Sequence, residues 1–77
     1  MNKKIEIYSS NTCGYCDMAK DYFKKNNLKY IEYDISRDVT HRKRLMNMGY
    51  TSVPVILIEG EEILGFDEDK MNNMLKS

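Results

Sequence analysis

The sequence predicts an α/β fold in which a four-stranded mixed sheet carries three helices, in the order β-α-β-α-β-β-α. Three observations predict it. Apolar and polar residues alternate over residues 3–8 (Lys-Lys-Ile-Glu-Ile-Tyr), the period of a half-buried strand. From Gly14 to about Lys25 the period becomes helical, with Cys16, Ala19 and Phe23 at i, i+3 and i+7 on one face. The β-branched run Val53-Pro54-Val55-Ile56-Leu57-Ile58 suits a buried strand, and Glu59-Gly60-Glu61 turns it back into Glu62-Ile63-Leu64 as a hairpin.

The elements follow in order. After the first strand, Ser9-Ser10-Asn11-Thr12 is a polar loop rich in helix-capping residues. Met18 and Tyr22 flank the apolar face of the first helix, and Asn26-Asn27 supplies a left-handed stop. Leu28–Asp34 reads as the second strand. Ser36 is the expected N-cap of a second helix running to about Met48, with Gly49 at C′. His41, Arg42, Lys43 and Arg44 require much of that helix to face water. Asp67 then caps a third helix with Met71, Met74 and Leu75 turned inward. Glu68 and Asp69 sit at its positive end and Lys76 near its negative end, as the macrodipole favours. The first strand–helix–strand unit is expected to be a right-handed parallel crossover, with helices on both faces of the sheet.

Seventy-seven residues make one domain, 1–77, with a thin stability margin. The chain is 42% hydrophobic and 31% charged, which argues against disorder. Twelve Lys and Arg balance twelve Asp and Glu, so net charge gives no reason to expect a nucleic-acid or membrane partner. No apolar run approaches the ~20 residues of a membrane span. After Met1-Asn2-Lys3-Lys4, the stretch Ile5–Tyr8 is interrupted by Glu6 and is too short for a secretory core, so a cytoplasmic location is expected.

Two cysteines do not make a disulfide scaffold; in a reducing compartment Cys-x-x-Cys reads as redox-active or metal-binding. Thr12-Cys13-Gly14-Tyr15-Cys16 lies between a strand and a helix, the context of a redox centre. Cys13 is expected at the helix N-terminus, where free backbone N–H groups and the macrodipole favour an anion and lower a thiol's pKa. Cys16, one turn deeper, is near enough to close a disulfide and more shielded, so it suits the resolving role. Two alternatives stand beside this reading. The pair are two of the four ligands of a zinc site, with His41 the other strong candidate, or they are inert core residues.

Two further segments bear on a ligand. Pro54 at the start of a central strand cannot donate to the ladder. A cis Val53–Pro54 bond would turn the Val53 N–H and C=O outward to pair with an extended peptide-like ligand; on sequence alone the trans isomer is the ordinary expectation. In Gly65-Phe66-Asp67-Glu68, the start of the third helix can hold a carboxylate through backbone N–H groups and Asp67 can meet an ammonium, or Asp67 is simply the N-cap.

Together, Thr12-Cys13-Gly14-Tyr15-Cys16, Ser52-Val53-Pro54 and Gly65-Phe66-Asp67 resemble, in order and spacing, the glutaredoxin family of the thioredoxin fold over nearly the whole chain. The resemblance implies a thioredoxin-like α/β domain in which Cys13 is the nucleophile, Cys16 the resolving thiol and Pro54 cis. It implies that glutathione, as co-substrate, lies between the three loops. Ser52, Val53 and Pro54 then form one wall, and Val53 pairs with the cysteinyl part. Tyr15 packs on the ligand, and Phe66 and Asp67 hold the γ-glutamyl end. No metal or prosthetic group is needed. The implied partners are glutathione and glutathionylated or disulfide-containing proteins, met as a monomer. Four positions depart from the family pattern. Gly14 replaces the usual Pro and Ser52 the usual Thr. Ser10 replaces a Lys that clamps the glycine carboxylate, and Leu64 replaces the first of two Gly. Arg37, Arg42 and Lys43 are candidate substitutes for that Lys.

Gly49-Tyr50 and Gly65-Phe66 are also similar to the glutaredoxin-like electron donors of ribonucleotide reductase, which draw on thioredoxin reductase, although Asp67 favours the glutathione branch. Gly14 is similar to glutaredoxins that bridge a [2Fe–2S] cluster between two chains. His41 is expected on the wet face of its helix without a role, and the six Met mostly in core packing.

Overall fold

The computed structural model describes residues 3–76; Met1, Asn2 and Ser77 of the expected 1–77 domain lie outside the described residues. The elements are β1 (Ile5–Ser9), α1 (Gly14–Lys25), β2 (Ile31–Asp34), α2 (Val39–Asn47), β3 (Val55–Ile58), β4 (Glu61–Leu64) and α3 (Glu68–Lys76). The strands form one sheet in the order β2-β1-β3-β4. β1 pairs with β2 in parallel, and β3 is antiparallel to both β1 and β4. This is the expected mixed sheet with three helices, a thioredoxin-like fold.

Period-2 alternation sorts the side chains to two faces. Ile5, Ile7, Ile56, Ile58 and Ile63 point to one face, where Ala19 and Phe23 of α1 and Met71 of α3 close the larger core. Tyr8 and Val55 point to the other, where Leu45 of α2 covers them. Leu45 is the buried residue of α2, so the helix is otherwise wet, as its charges require. No helix among the described residues is long and apolar enough to cross a membrane.

Helix ends explain most boundary differences. Asn27 takes φ 55°, and Asn27 N–H and Leu28 N–H donate to the carbonyls of Lys24 and Phe23. This closure commits Leu28 to the end of α1, so β2 starts at Ile31 rather than at Leu28. Gly49, at φ 93°, closes α2 the same way: Gly49 N–H and Tyr50 N–H bond Met46 and Leu45. The expected Ser36 cap is wrong. Asp38 caps α2, its carboxylate accepting from Thr40 N–H at 2.8 Å. Ser36 is captured one turn earlier, where its N–H donates to Asp34 at 2.8 Å. The hairpin turn is Glu59-Gly60 alone, both at positive φ as a two-residue turn requires, so β4 begins at Glu61. The methionines divide: Met71 is buried and Met48 and Met74 pack on the cores, while Met18, expected on the flank of α1, and Met46 are exposed.

One polar network crosses the sheet. Ser9, fully buried, donates its hydroxyl to Glu32 at 2.6 Å, and Lys20 donates to the same carboxylate oxygen at 2.9 Å. The Ser9 hydroxyl first, and Lys20 with it, hold the Glu32 carboxyl below the usual carboxylate range. A carboxyl depressed in the folded state stabilises the fold at and above the ordinary glutamate range. That contribution fades as the pH falls through the folded-state value. Glu32→Gln therefore lowers the melting temperature at pH 7, and its deficit against wild type shrinks in acid. A deficit independent of pH in thermal melts would contradict this.

Candidate active site

The end of β1 delivers the chain to the start of α1. Between them, Asn11 N–H donates to the Ser36 hydroxyl, which donates back to the Asn11 side chain, so the loop before the cysteines is tied to the loop after β2. Cys13 is itself the N-cap of α1, with extended backbone at φ −105° and ψ 107°. Its carbonyl accepts the first helical bond, from Asp17 N–H, and its Sγ accepts from Cys16 N–H at 3.1 Å. A free helical N–H thus points at the leading sulfur, as expected of a site that favours a thiolate. Asp17 in the same turn opposes that effect, and Lys20, 3.6 Å from its carboxylate, offsets it.

Cys13 and Cys16 are joined as a disulfide, with Cα atoms 5.2 Å apart, so this is the oxidised form of the pair. Cys13 is half-buried and Cys16 wholly buried. Of the two sulfurs, Cys13 is therefore the one open to an incoming thiol or disulfide.

The Val53–Pro54 bond is cis. This overturns the trans isomer expected from the residues alone and matches what the family resemblance implies. Pro54 is buried and its carbonyl accepts from Gly65 N–H at 2.8 Å, which locks the Pro loop to the end of β4. Gly65 takes φ 83°, a conformation that favours glycine. Among the described residues neither Val53 N–H nor its C=O has a hydrogen-bond partner. Asp67 caps α3, accepting from Lys70 N–H at 3.1 Å.

These three loops enclose a groove of about 650 Å³. Tyr15, Val53, Pro54, Phe66 and Asp67 line it, five of the six residues expected to bind a ligand. Ser52 does not line it and is exposed. Leu64, Gly65, Glu68 and Asp69 complete the wall and were not among the residues expected to bind; adjacency to Phe66 and Asp67 was the available signal. The candidate cations are elsewhere. Arg37 lines a separate cavity with Asn11, Lys20, Glu32, Asp34, Asp38 and His41, while Arg42 and Lys43 are exposed on α2. His41 is not on the wet face expected of it. Its ring lies 5.1 Å from that of Tyr33, Nε2 is 3.7 Å from Asp38, and Nδ1 is buried.

The family model for glutaredoxin matches residues 5–63, which span the cysteine loop and the Pro loop and end before Gly65-Phe66-Asp67. The chain belongs to the glutaredoxin family. It is 32% identical to a glutaredoxin-like 8.6 kDa protein of the rubredoxin operon of Clostridium pasteurianum, covering 94% of this chain and 97% of that one. It is 32% identical to glutaredoxin 3 of Escherichia coli K12, over 83% of this chain and 78% of that one. It is also 26% identical to the glutaredoxin-like protein NrdH of Lactococcus lactis, over 80% and 86% of the two chains. Among solved structures it is similar to the thioredoxin-like protein BC3987, with a TM-score of 0.85, 35% identity and coverage of 92% and 99%. As a glutaredoxin-like thiol oxidoreductase, this chain carries its chemistry on the pair Cys13 and Cys16.

Proposed function

We propose that this glutaredoxin is a glutathione-dependent thiol–disulfide oxidoreductase that reduces glutathionylated proteins or small disulfides. One observation carries the reading: Tyr15, two residues after the half-buried Cys13 of the Cys13–Cys16 pair, walls a groove together with Val53, Pro54, Phe66 and Asp67. The Cys13 thiolate attacks the glutathione sulfur of the substrate, whose protein leaves as a thiol. Cys13 then holds glutathione in a mixed disulfide. A second glutathione releases it, or Cys16 does so by closing the intramolecular disulfide. The unpartnered Val53 backbone pairs with the cysteinyl part, Tyr15 and Phe66 pack on the ligand, and Asp67 meets the γ-glutamyl ammonium. The chain works as a monomer in the cytoplasm, with glutathione as co-substrate and without a metal or prosthetic group.

A second reading, a protein-specific electron donor recycled by thioredoxin reductase, draws support from the groove, which no cation lines among the described residues to meet the glycine carboxylate, and from the NrdH relative. A coupled assay separates them. Glutathione with glutathione reductase sustains turnover, and thioredoxin reductase alone does not; the opposite result overturns the glutathione reading. In the same assay Asp67→Asn keeps a capping side chain. It therefore leaves the melting temperature in place, while loss of the charge raises KM for glutathione about threefold to tenfold.

A further inference from the structure

The wall of the groove carries charge of one sign. Asp67, Glu68 and Asp69 line it, and no Lys, Arg or His does so among the described residues. All three carboxylates are exposed, and none is in an ion pair among the described residues. The start of α3 offsets only about half a charge of the three. Beside them the surface is apolar: Tyr15 is 64% exposed, Met18 49% and Leu64 58%. The groove continues into a smaller depression of about 260 Å³, where Met18, Tyr22 and Phe66 meet, and Glu68 borders both. Asp21 and Lys25 cancel each other at its far end, so the acidic excess stays at Glu68 and the groove. An apolar shelf edged by unpaired carboxylates, beside the unpartnered backbone N–H and C=O of Val53, fits an extended segment that is both apolar and cationic.

We infer that the macromolecular substrate is a protein disulfide whose cysteine is flanked by Lys or Arg and by an apolar residue. The segment lies extended along Val53, with its apolar side chain on the Tyr15–Met18 shelf and its cation at Glu68 and Asp69. This rests on the redox reading of Cys13 and Cys16, but not on the source of their electrons. The Cys13 thiolate attacks one substrate sulfur. The substrate S–S bond breaks, a mixed disulfide forms, and the leaving thiolate takes a proton from water. Cys16, as thiolate, attacks the Cys13 sulfur and expels the second substrate thiolate, which is protonated in turn. The substrate gains two electrons and the Cys13–Cys16 pair loses them.

The test uses the full reduced chain and two synthetic disulfide peptides, identical except for Lys or Glu on either side of the cysteine. A small neutral disulfide serves as the third substrate. Rapid-mixing rates are expected to favour the Lys peptide by about tenfold at low salt, as field-steered association allows. The preference shrinks in ~0.5 M salt, where the Debye length is only a few ångströms. The double variant Glu68→Gln, Asp69→Asn brings the two peptide rates within about threefold, a residue of the field left by Asp67. Equal peptide rates in the wild-type chain, or faster reduction of the Glu peptide, with the neutral disulfide still reduced, overturn the inference and spare the redox reading. Equal rates together with a sedimenting dimer that Met18→Asp dissolves identify a second copy on the shelf and also overturn it. Failure to reduce even the neutral disulfide brings down the redox reading itself.

Discussion

Replacing Cys13 by Ser reduces disulfide turnover to the uncatalysed rate with every substrate, because a serine hydroxyl can neither ionise at neutral pH nor form a mixed disulfide. Replacing Cys16 by Ser has a different outcome. The leading sulfur still faces solvent, with the N–H of residue 16 still directed at it, so the glutathione-dependent release of a monothiol route survives. The variant loses only those reactions that need an internal disulfide, such as reduction of a protein disulfide without added glutathione. The measurement is turnover of a glutathionylated peptide and of a protein disulfide by each variant. Retained activity in Cys13→Ser, or total loss in Cys16→Ser with the fold intact, contradicts the assignment of roles. The difference follows from burial: Cys13 is half-buried and Cys16 is sealed beneath it.

The largest effect on stability is expected at Phe23. Its ring is wholly buried, 5.2 Å from the ring of Tyr30 and 6.0 Å from that of Tyr22, at the point where α1 meets the sheet. Phe→Ala in such a site costs about 3–5 kcal/mol, the lost transfer energy plus the cavity. A domain of this size has about 4–12 kcal/mol in total, so Phe23→Ala takes from about a quarter of the stability to all of it. Urea denaturation should show an unfolding free energy lowered by that amount, read as a lower midpoint at an unchanged slope. A loss under about 1 kcal/mol would mean that the neighbouring side chains collapse into the space. Because α1 carries Cys13 at its start, the variant also blunts the redox site without touching it.

The periodic parts of the chain were legible before any coordinates. Alternation over residues 3–8 placed β1, and Cys16, Ala19 and Phe23 defined the buried face of α1, with bounds at Gly14 and Lys25 that the structure reproduces. Asp67 and Gly49 were readable as caps because each has one dominant local use. Local competition defeated the Ser36 reading. Two capping residues, Ser36 and Asp38, stand two apart, and the Asp34 side chain takes the Ser36 N–H first. His41 was misplaced for a different reason. Its charged neighbours suggested water, but Tyr33 on the adjacent strand offers a ring face that no helical pattern reports. The cis bond at Val53–Pro54 was not derivable from residues alone, since the trans form is intrinsically preferred and only the surrounding fold reverses it. In the site, the three loops could be named from their motifs. The acidic wall made by Glu68 and Asp69 could not, because both residues equally serve the start of α3.

The redox role depends on Cys13 being an ionised, accessible thiol in the reduced protein. The most direct measurement is the rate of alkylation of reduced protein by iodoacetamide against pH, with the modified residue identified by mass spectrometry. The account predicts that Cys13 is modified first, with a midpoint well below that of free cysteine. Modification of Cys16 first, or a Cys13 midpoint equal to that of a free thiol, would contradict it.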